Sequence, residues 1–196
     1  MRELVYFITH PEVQVDPTRP VPQWSLSERG LARMRATLSL PWIRALTAVY
    51  ASEEQKAIEA AQVLAHALQL RVQRRAALGE VDRSSTGYLP HAEHESTADE
   101  LFARPDVSAR GWETANAAQA RIVSAVAELV AADGGGGAIA IVSHGAVGAF
   151  LLCHLTAAPI ARKHDQPGSG GGNYFAFTRG MQLVQGWQRL PLPQEG

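Results

Sequence analysis

The sequence has few of the features that assign a protein to a class by composition alone. Its single cysteine, Cys153, rules out a disulfide within the chain and is typical of a reducing compartment. It has no apolar run long enough to span a bilayer and no signal-peptide core. The net charge of -1 gives no bulk attraction to nucleic acid or to an anionic membrane. We therefore expect a cytoplasmic protein without nucleic-acid or membrane partners, in which any anion site is local.

Two common cofactor motifs are also missing. No Gly-x-Gly-x-x-Gly follows a predicted strand, which argues against dinucleotide-dependent redox chemistry. The glycine-rich segment 167–173, "PGSGGGN", lacks the Lys and Ser/Thr of a phosphate-binding P-loop and predicts a flexible loop. The "HAEHE" run at 91–95 has spacings that could bind a metal but no strict ligand pattern. We predict no cofactor and no metal.

What the chain does contain is an alternation of apolar runs and helical segments. Runs rich in β-branched and aromatic residues predict strands at 4–8, 47–51, 138–142, 174–177 and 182–187. Helical periodicity predicts helices at 27–38 behind an N-cap at Ser27, at 52–68 behind a Ser52/Gln55 capping box, and at 114–132. This alternation favours an α/β three-layer sandwich with a mainly parallel central sheet flanked by helices.

The length and composition favour one domain with an insertion. With 196 residues, 46% of them hydrophobic, the chain suits a single domain over 1–196. The segment 80–112 breaks the alternation, because it is long and polar and holds one short helix candidate at 96–103. A segment of this kind inside a compact domain is usually functional, so we interpret it as a cap over a site.

Two histidines follow predicted strands. His10 comes after 4–8 in "LVYFITHPEV", and His144 comes after 138–142 in "IVSHGAV". Because parallel strands end at one edge of a sheet, the two rings are expected to share a crevice. Either histidine alone could be structural, for instance capping a strand ahead of Pro11. Together they predict a shared site.

Lys56 and Glu80 are candidates for the same edge. Lys56 lies in the first turn of a predicted helix, where the helix dipole disfavours a cation by about 0.3–1 kcal/mol, and a bound anion would compensate. The alternative is a pair with Glu53 and Glu59 on a solvated face, and the sequence does not decide between them. Glu80 could act as a general acid and base or be a solvated carboxylate.

These residues resemble the histidine phosphatase superfamily, the phosphoglycerate mutase-like proteins, over most of the chain. The family's Arg-His-Gly motif matches Thr9-His10-Pro11, and its Ser-x-x-x-Arg-Ala segment matches "SEEQKA" with Lys56 in place of Arg. "WSLSERG", "LGE" and "GWET" resemble its later segments, and "IVSHGAV" is the nearest match. Six short motifs in the family's order are hard to obtain by chance.

The resemblance implies a phosphohydrolase that acts on a small phosphomonoester through a phosphohistidine at His10. It implies that Glu80 protonates the leaving oxygen and later activates water, and that His144 stabilises the transferred group. The substrate-binding residues would be Thr9, Ser52, Lys56 and Arg19.

The departures from the family pattern predict weakened or altered activity. Thr9 cannot replace the charged fork of an arginine, and Pro11 removes a backbone N–H. Losing one such donor typically costs about 10²- to 10³-fold in rate. Arg19 follows the motif and could supply the missing charge. Further candidates are Arg104, Arg110 and His91.

A second hypothesis keeps the fold and the pocket but not the turnover. In that case the chain is a phosphatase-like module that binds a phosphorylated or other anionic ligand. A mutase is less expected than a phosphatase, because the pocket is short of cations even for one phosphate. The sequence leaves a homodimer open and indicates no interface.

Overall fold

The structure, a computed structural model, describes residues 3–192 and contains one six-stranded sheet. Its strands are β1 (Leu4–Thr9), β2 (Leu46–Ala51), β3 (Val72–Arg74), β4 (Ala138–Ser143), β5 (Asn173–Thr178) and β6 (Leu183–Arg189). Their order across the sheet is β3-β2-β4-β1-β5-β6. The first four are parallel, whereas β5 runs antiparallel to β1 and β6 antiparallel to β5. The predicted mainly parallel sheet is confirmed.

Helices cover both faces of the sheet, which confirms the three-layer sandwich. They are α1 (Glu28–Thr37), α2 (Gln55–Leu68), α3 (His91–Ala103), α4 (Ala115–Ala132) and α5 (Gly145–Leu155). Successive strand residues point to opposite faces. In β1, Val5 and Phe7 pack in the core with α3, α4 and α5, while Tyr6 and Ile8 pack in the core with α1 and α2.

Local signals located most elements, with some boundary errors. Ser27 caps α1 as predicted, since its side chain accepts a hydrogen bond from the N–H of Gly30. The capping box at Ser52 is wrong: α2 begins at Gln55, because the Ser52 hydroxyl contacts His144. α3 begins at His91 rather than at 96, and the short strand β3 was not predicted. The single domain and the cap role of 80–112 stay predictions.

Three strand ends position the site. β1 and β4 are in register up to Thr9 and Ser143, and β2 and β4 up to Ala51 and Val142. The pairing continues one residue further, where the N–H of His10 donates to Ser143 O at 3.1 Å and the N–H of Ser52 donates to Val142 O at 3.1 Å. The residues that follow these strands are therefore held at one edge.

Within residues 3–192, no helix has both the length and the hydropathy needed to cross a membrane. The cytoplasmic location stays a prediction.

Candidate active site

His10 is set up as a neutral imidazole with one nitrogen free. Its Nδ1 lies 2.9 Å from the carbonyl oxygen of Pro11, which can only accept, so Nδ1 carries the hydrogen. Burial and the nearby charge of Lys56 lower the pKa of His10 to about 4. At neutral pH the ring is therefore uncharged, and its Nε2 has a free lone pair.

The glycine-rich loop contacts the backbone carbonyl of His10. The N–H of Gly172 donates to His10 O at 3.1 Å, and a Cβ on Gly171, at φ +71°, would lie 2.1 Å from that same oxygen. The buried guanidinium of Arg33 joins the two loops, donating to Glu12 Oε1 at 3.0 Å and to Gly172 O at 2.8 Å. These contacts tie residues 171–172 to the loop that carries His10, and the flexibility of the loop at 167–173 stays a prediction.

His144 lies beside His10, with ring centroids 5.1 Å apart and the rings nearly perpendicular. Its Nε2 lies 2.7 Å from Ser52 Oγ and 3.2 Å from Glu54 Oε1. An ionised carboxylate only accepts, so Nε2 carries the hydrogen. Burial lowers the pKa of His144 well below its usual value, although Glu54 acts in the opposite direction. Among the described residues, the buried Nδ1 of His144 has no hydrogen-bond partner.

Lys56 is buried and paired with a carboxylate that sequence reasoning missed. Its Nζ lies 2.5 Å from Glu54 Oε2 and 2.9 Å from the carbonyl oxygen of Val21. Burial opposes ionisation of Glu54, but His144 and the Lys56 ammonium outweigh it and hold the pKa of this carboxyl well below its usual range. The alternative of a solvated pair between Lys56, Glu53 and Glu59 is wrong, because Lys56 is only 3% exposed.

The carboxylate of Glu80 is bound by backbone N–H groups at the start of α5. Its Oε1 accepts from the N–H of Val147 at 3.2 Å, and its Oε2 accepts from the N–H of Ala146 at 3.2 Å. Its own neighbour Val81 donates a third N–H to Oε1 at 3.0 Å. The structure brings Glu80 and His10 to one cavity, and the acid and base role of Glu80 stays a prediction.

A cavity of about 560 Å³ opens beside His10 and suits a small ligand. Segment 80–112 forms one wall of it, and the loop before β5 forms another. The polar and charged side chains that line it are His10, Glu80, Arg83, His91, His94, Glu95, Arg162, Asp165, Gln166 and Ser169. A second cavity of about 550 Å³ shares Glu80 and Arg83 and reaches Glu54.

Thr9 lies behind the site, and its hydroxyl is fully used inside the fold. Its Oγ1 donates to Gln166 Oε1 at 2.7 Å and accepts from the N–H of Asn173 at 3.0 Å. The side-chain Nδ2 of Asn173 donates to the same Gln166 oxygen at 3.0 Å, which orients the amide. The Nε2 of Gln166 then lies against Gly145, on the cavity wall. Thr9 therefore helps to position Gln166, a neutral donor that no sequence motif indicates.

Arg83 is a cation of the site that the sequence did not single out. Its Nη1 donates to His94 Nε2, and the guanidinium lies 5.5 Å from the centroid of the Trp112 ring. Among residues 3–192, no carboxylate forms an ion pair with it. Its charge contributes to lowering the pKa values of His10 and His144. The sequence feature that could have identified Arg83 as a site residue is its position three residues after Glu80, in the predicted cap.

The cations proposed as replacements for the family arginine lie elsewhere. Arg19 is exposed, 3.6 Å from Asp16 Oδ2, and is not among the residues lining the cavity beside His10. Arg104 and Arg110 pair with the α3 residues Glu100 and Glu93. Contact of Arg19 with a ligand stays a prediction.

His91 does line the cavity beside His10, which leaves it as a candidate contact for a ligand. The metal-like spacing at 91–95 does not bring ligands together. Over the part of the chain that the structure describes, no three His, Cys, Asp or Glu side chains are grouped to hold a metal ion.

Solved structures with this fold include three bacterial proteins of similar length. Mycobacterial hydrolase 2 is 20% identical, with a TM-score of 0.77, covering 100% of this chain and 94% of its own. A mycobacterial glucosyl-3-phosphoglycerate phosphatase in complex with inorganic phosphate is 22% identical, with a TM-score of 0.74 over 99% of this chain and 100% of its own. The alpha-ribazole phosphatase from Shigella flexneri is 18% identical, with a TM-score of 0.73 over 98% and 100%. At these identities the likeness establishes the fold alone.

Sequence comparison assigns the family. No curated protein matches the chain significantly. The profile of the histidine phosphatase superfamily (branch 1) matches residues 5–188, a range that includes His10, Lys56, Glu80 and His144. The chain belongs to the histidine phosphatase superfamily, branch 1.

Proposed function

We propose that the protein is a phosphohydrolase that acts on a small phosphomonoester through a phosphohistidine at His10. The observation that carries this proposal is the hydrogen bond from His10 Nδ1 to Pro11 O, which leaves Nε2 unprotonated beside the cavity. An unprotonated nitrogen is what attack on phosphorus requires. Two of the relatives named above are phosphatases, which supports the same chemistry.

The reaction would occur in two displacements. His10 Nε2 attacks phosphorus, the bond between phosphorus and the ester oxygen breaks, and the leaving oxygen departs with the bonding electrons. Water then attacks the phosphorus of the phosphohistidine, and Glu80 takes a proton from it. The bond between phosphorus and Nε2 breaks, its electrons return to the imidazole, and inorganic phosphate is released. Three backbone N–H groups donate to the carboxylate oxygens of Glu80 and hold it at the cavity. Because this scheme places no proton donor on the leaving oxygen, we favour substrates whose leaving oxygen is stable without a proton, such as aryl phosphates.

The phosphoryl group would be held by fewer charges than the family pattern provides. Arg83, free of carboxylate partners among the described residues, and the oriented amide of Gln166 both lie on the cavity wall. Lys56 is already neutralised by Glu54. Because each missing donor costs about 10²- to 10³-fold in rate, we expect slow turnover.

The second candidate is a binding module without turnover. It is favoured by Glu54, whose carboxylate contacts both Lys56 and His144, and by the engaged hydroxyl of Thr9. Such a protein would bind an anionic ligand in the cavity beside His10 and release it unchanged.

Hydrolysis of p-nitrophenyl phosphate by wild type, His10→Ala and His154→Ala separates the candidates. His154 is exposed on α5 and is not among the cavity-lining residues, so it is a matched control. The phosphohydrolase predicts turnover in wild type and His154→Ala and none in His10→Ala. If His10→Ala turned over as fast as wild type, the assignment of His10 as the nucleophile would be wrong. Phosphate binding with no turnover in any variant would favour the binding module.

A further inference from the structure

The carboxylate of Glu54 makes the contacts that an anionic ligand would make at this edge of the sheet. One oxygen lies 2.5 Å from the ammonium of Lys56. The other accepts from the N–H of Glu80 at 2.9 Å and lies 3.2 Å from His144 Nε2. An ammonium, an imidazole N–H and a backbone N–H form a donor set suited to phosphate oxygens. In this fold that donor set is filled by the protein itself.

Glu54 neutralises the charge of Lys56 effectively because both side chains are largely buried. The side chains of Lys56 and Glu54 are 4% and 14% exposed, and that of His144 is fully buried. Charges shielded from water in this way are screened much less by solvent and salt than a surface pair. The charge of Lys56 is therefore largely cancelled for a second anion.

Two local features favour this position of Glu54. Its own N–H lies 3.3 Å from Ser52 Oγ, which also contacts His144. It is the residue immediately before α2, a 14-residue helix whose N-terminus favours negative charge. Lys56 makes a second contact, donating to Val21 O at 2.9 Å.

We propose that Glu54 selects the charge of the ligand: its carboxylate is an internal anion that must leave Lys56 and His144 before phosphate can bind them. The proposal rests on the proposed function in placing phosphate at this edge. Phosphate then binds the wild type weakly, and removing the charge of Glu54 opens Lys56 and His144 to it.

Calorimetric titration with inorganic phosphate tests this at neutral pH. Glu54→Gln is nearly isosteric and keeps an oxygen for the N–H of Glu80, so the change is mainly one of charge. We expect it to bind phosphate at least 10-fold more tightly than wild type. Glu53→Gln removes the same charge from an exposed neighbour. Its affinity for phosphate should stay within about twofold of the wild-type affinity. Equal affinity in Glu54→Gln and wild type, or an equal gain in Glu53→Gln, would overturn the proposal.

Two further variants test whether Lys56 binds the phosphate and whether the loss of the Glu54 carboxylate prevents folding. In the double variant Glu54→Gln/Lys56→Gln the gain should disappear, and a gain that persists would show that Lys56 is not the receiver. Glu54→Leu removes the charge with an apolar side chain and should also gain affinity. If neither Glu54→Gln nor Glu54→Leu gave a folded far-ultraviolet circular dichroism spectrum, the carboxylate would be a structural requirement and the proposal would be wrong.

The binding measurement is independent of turnover, so the two proposals fail separately. Hydrolysis that survives His10→Ala, together with a phosphate gain in Glu54→Gln, would refute the proposed function and support the role of Glu54. Hydrolysis lost in His10→Ala without any gain in Glu54→Gln would leave the function and refute the role of Glu54.

Discussion

The buried pair of Lys56 and Glu54 should make the fold sensitive to the loss of either partner alone. Lys56→Met alone leaves a carboxylate that is 14% exposed without its cation, and Glu54→Leu alone leaves an ammonium that is 4% exposed without its anion. Removing one partner of a buried pair costs about 3–5 kcal/mol. We expect the lower end, because Val21 O still accepts from Lys56, and Glu80 N–H still donates to Glu54.

Replacing both partners should restore most of the lost stability. In the double variant Lys56→Met/Glu54→Leu no charge is left unpaired, so its cost should be about 1 kcal/mol or less. The two sites should therefore be coupled by about 5 kcal/mol, whereas independent sites add within about 0.5 kcal/mol.

Urea unfolding of the wild type, the two single variants and the double variant measures this coupling. The control Glu53→Gln should change the free energy of unfolding by less than about 0.5 kcal/mol. The folded pKa of Glu54 lies below its ordinary value near 4.5, so the pair stabilises the fold fully above that pH and less as pH falls. If the costs of the two single variants add up to that of the double variant, or if each single cost is below about 1 kcal/mol, the pair behaves as an exposed pair. Either result would contradict a coupled, buried pair.

Three further predictions concern the site. Because the pKa of His10 is lowered to about 4, the acid limb of kcat/KM should have its midpoint near pH 4, and a midpoint near 6.5 would contradict the geometry. Arg83→Gln should raise KM for an aryl phosphate about tenfold through one lost charged contact, with the exposed Arg74→Gln as control in the same assay. Gly171→Ala should lower the free energy of unfolding by more than about 2 kcal/mol, whereas Gly134→Ala, which meets nothing, should not.

The parts of the site that follow from strand topology were predictable. His10 and His144 end parallel strands, and parallel strands place their ends together whatever the side chains do. The N-cap at Ser27 and the helix start near Thr114 depend on neighbours within one turn, and both were found. Local patterns and the order of strands were therefore enough for the fold and for two site residues.

The rest depends on side-chain directions that the sequence does not encode locally. Glu54 and Glu53 are equivalent carboxylates in sequence, but the start of α2 at Gln55 turns only Glu54 toward Lys56. Thr9 reaches Gln166 across 157 positions of the chain. Arg83 and His10 line the same cavity although 73 positions separate them, which no periodicity indicates.

Trapping the phosphorylated enzyme would show directly whether His10 is the nucleophile. Wild type and His10→Ala are mixed with an aryl phosphate, quenched in alkali within the first turnover, digested and analysed by mass spectrometry for a phosphoryl group. If His10 is the nucleophile, the wild type gives a phosphorylated peptide that contains His10 together with a burst of released phenol, and His10→Ala gives neither. A wild type that turns over without this adduct, or an adduct on another residue, would contradict this assignment.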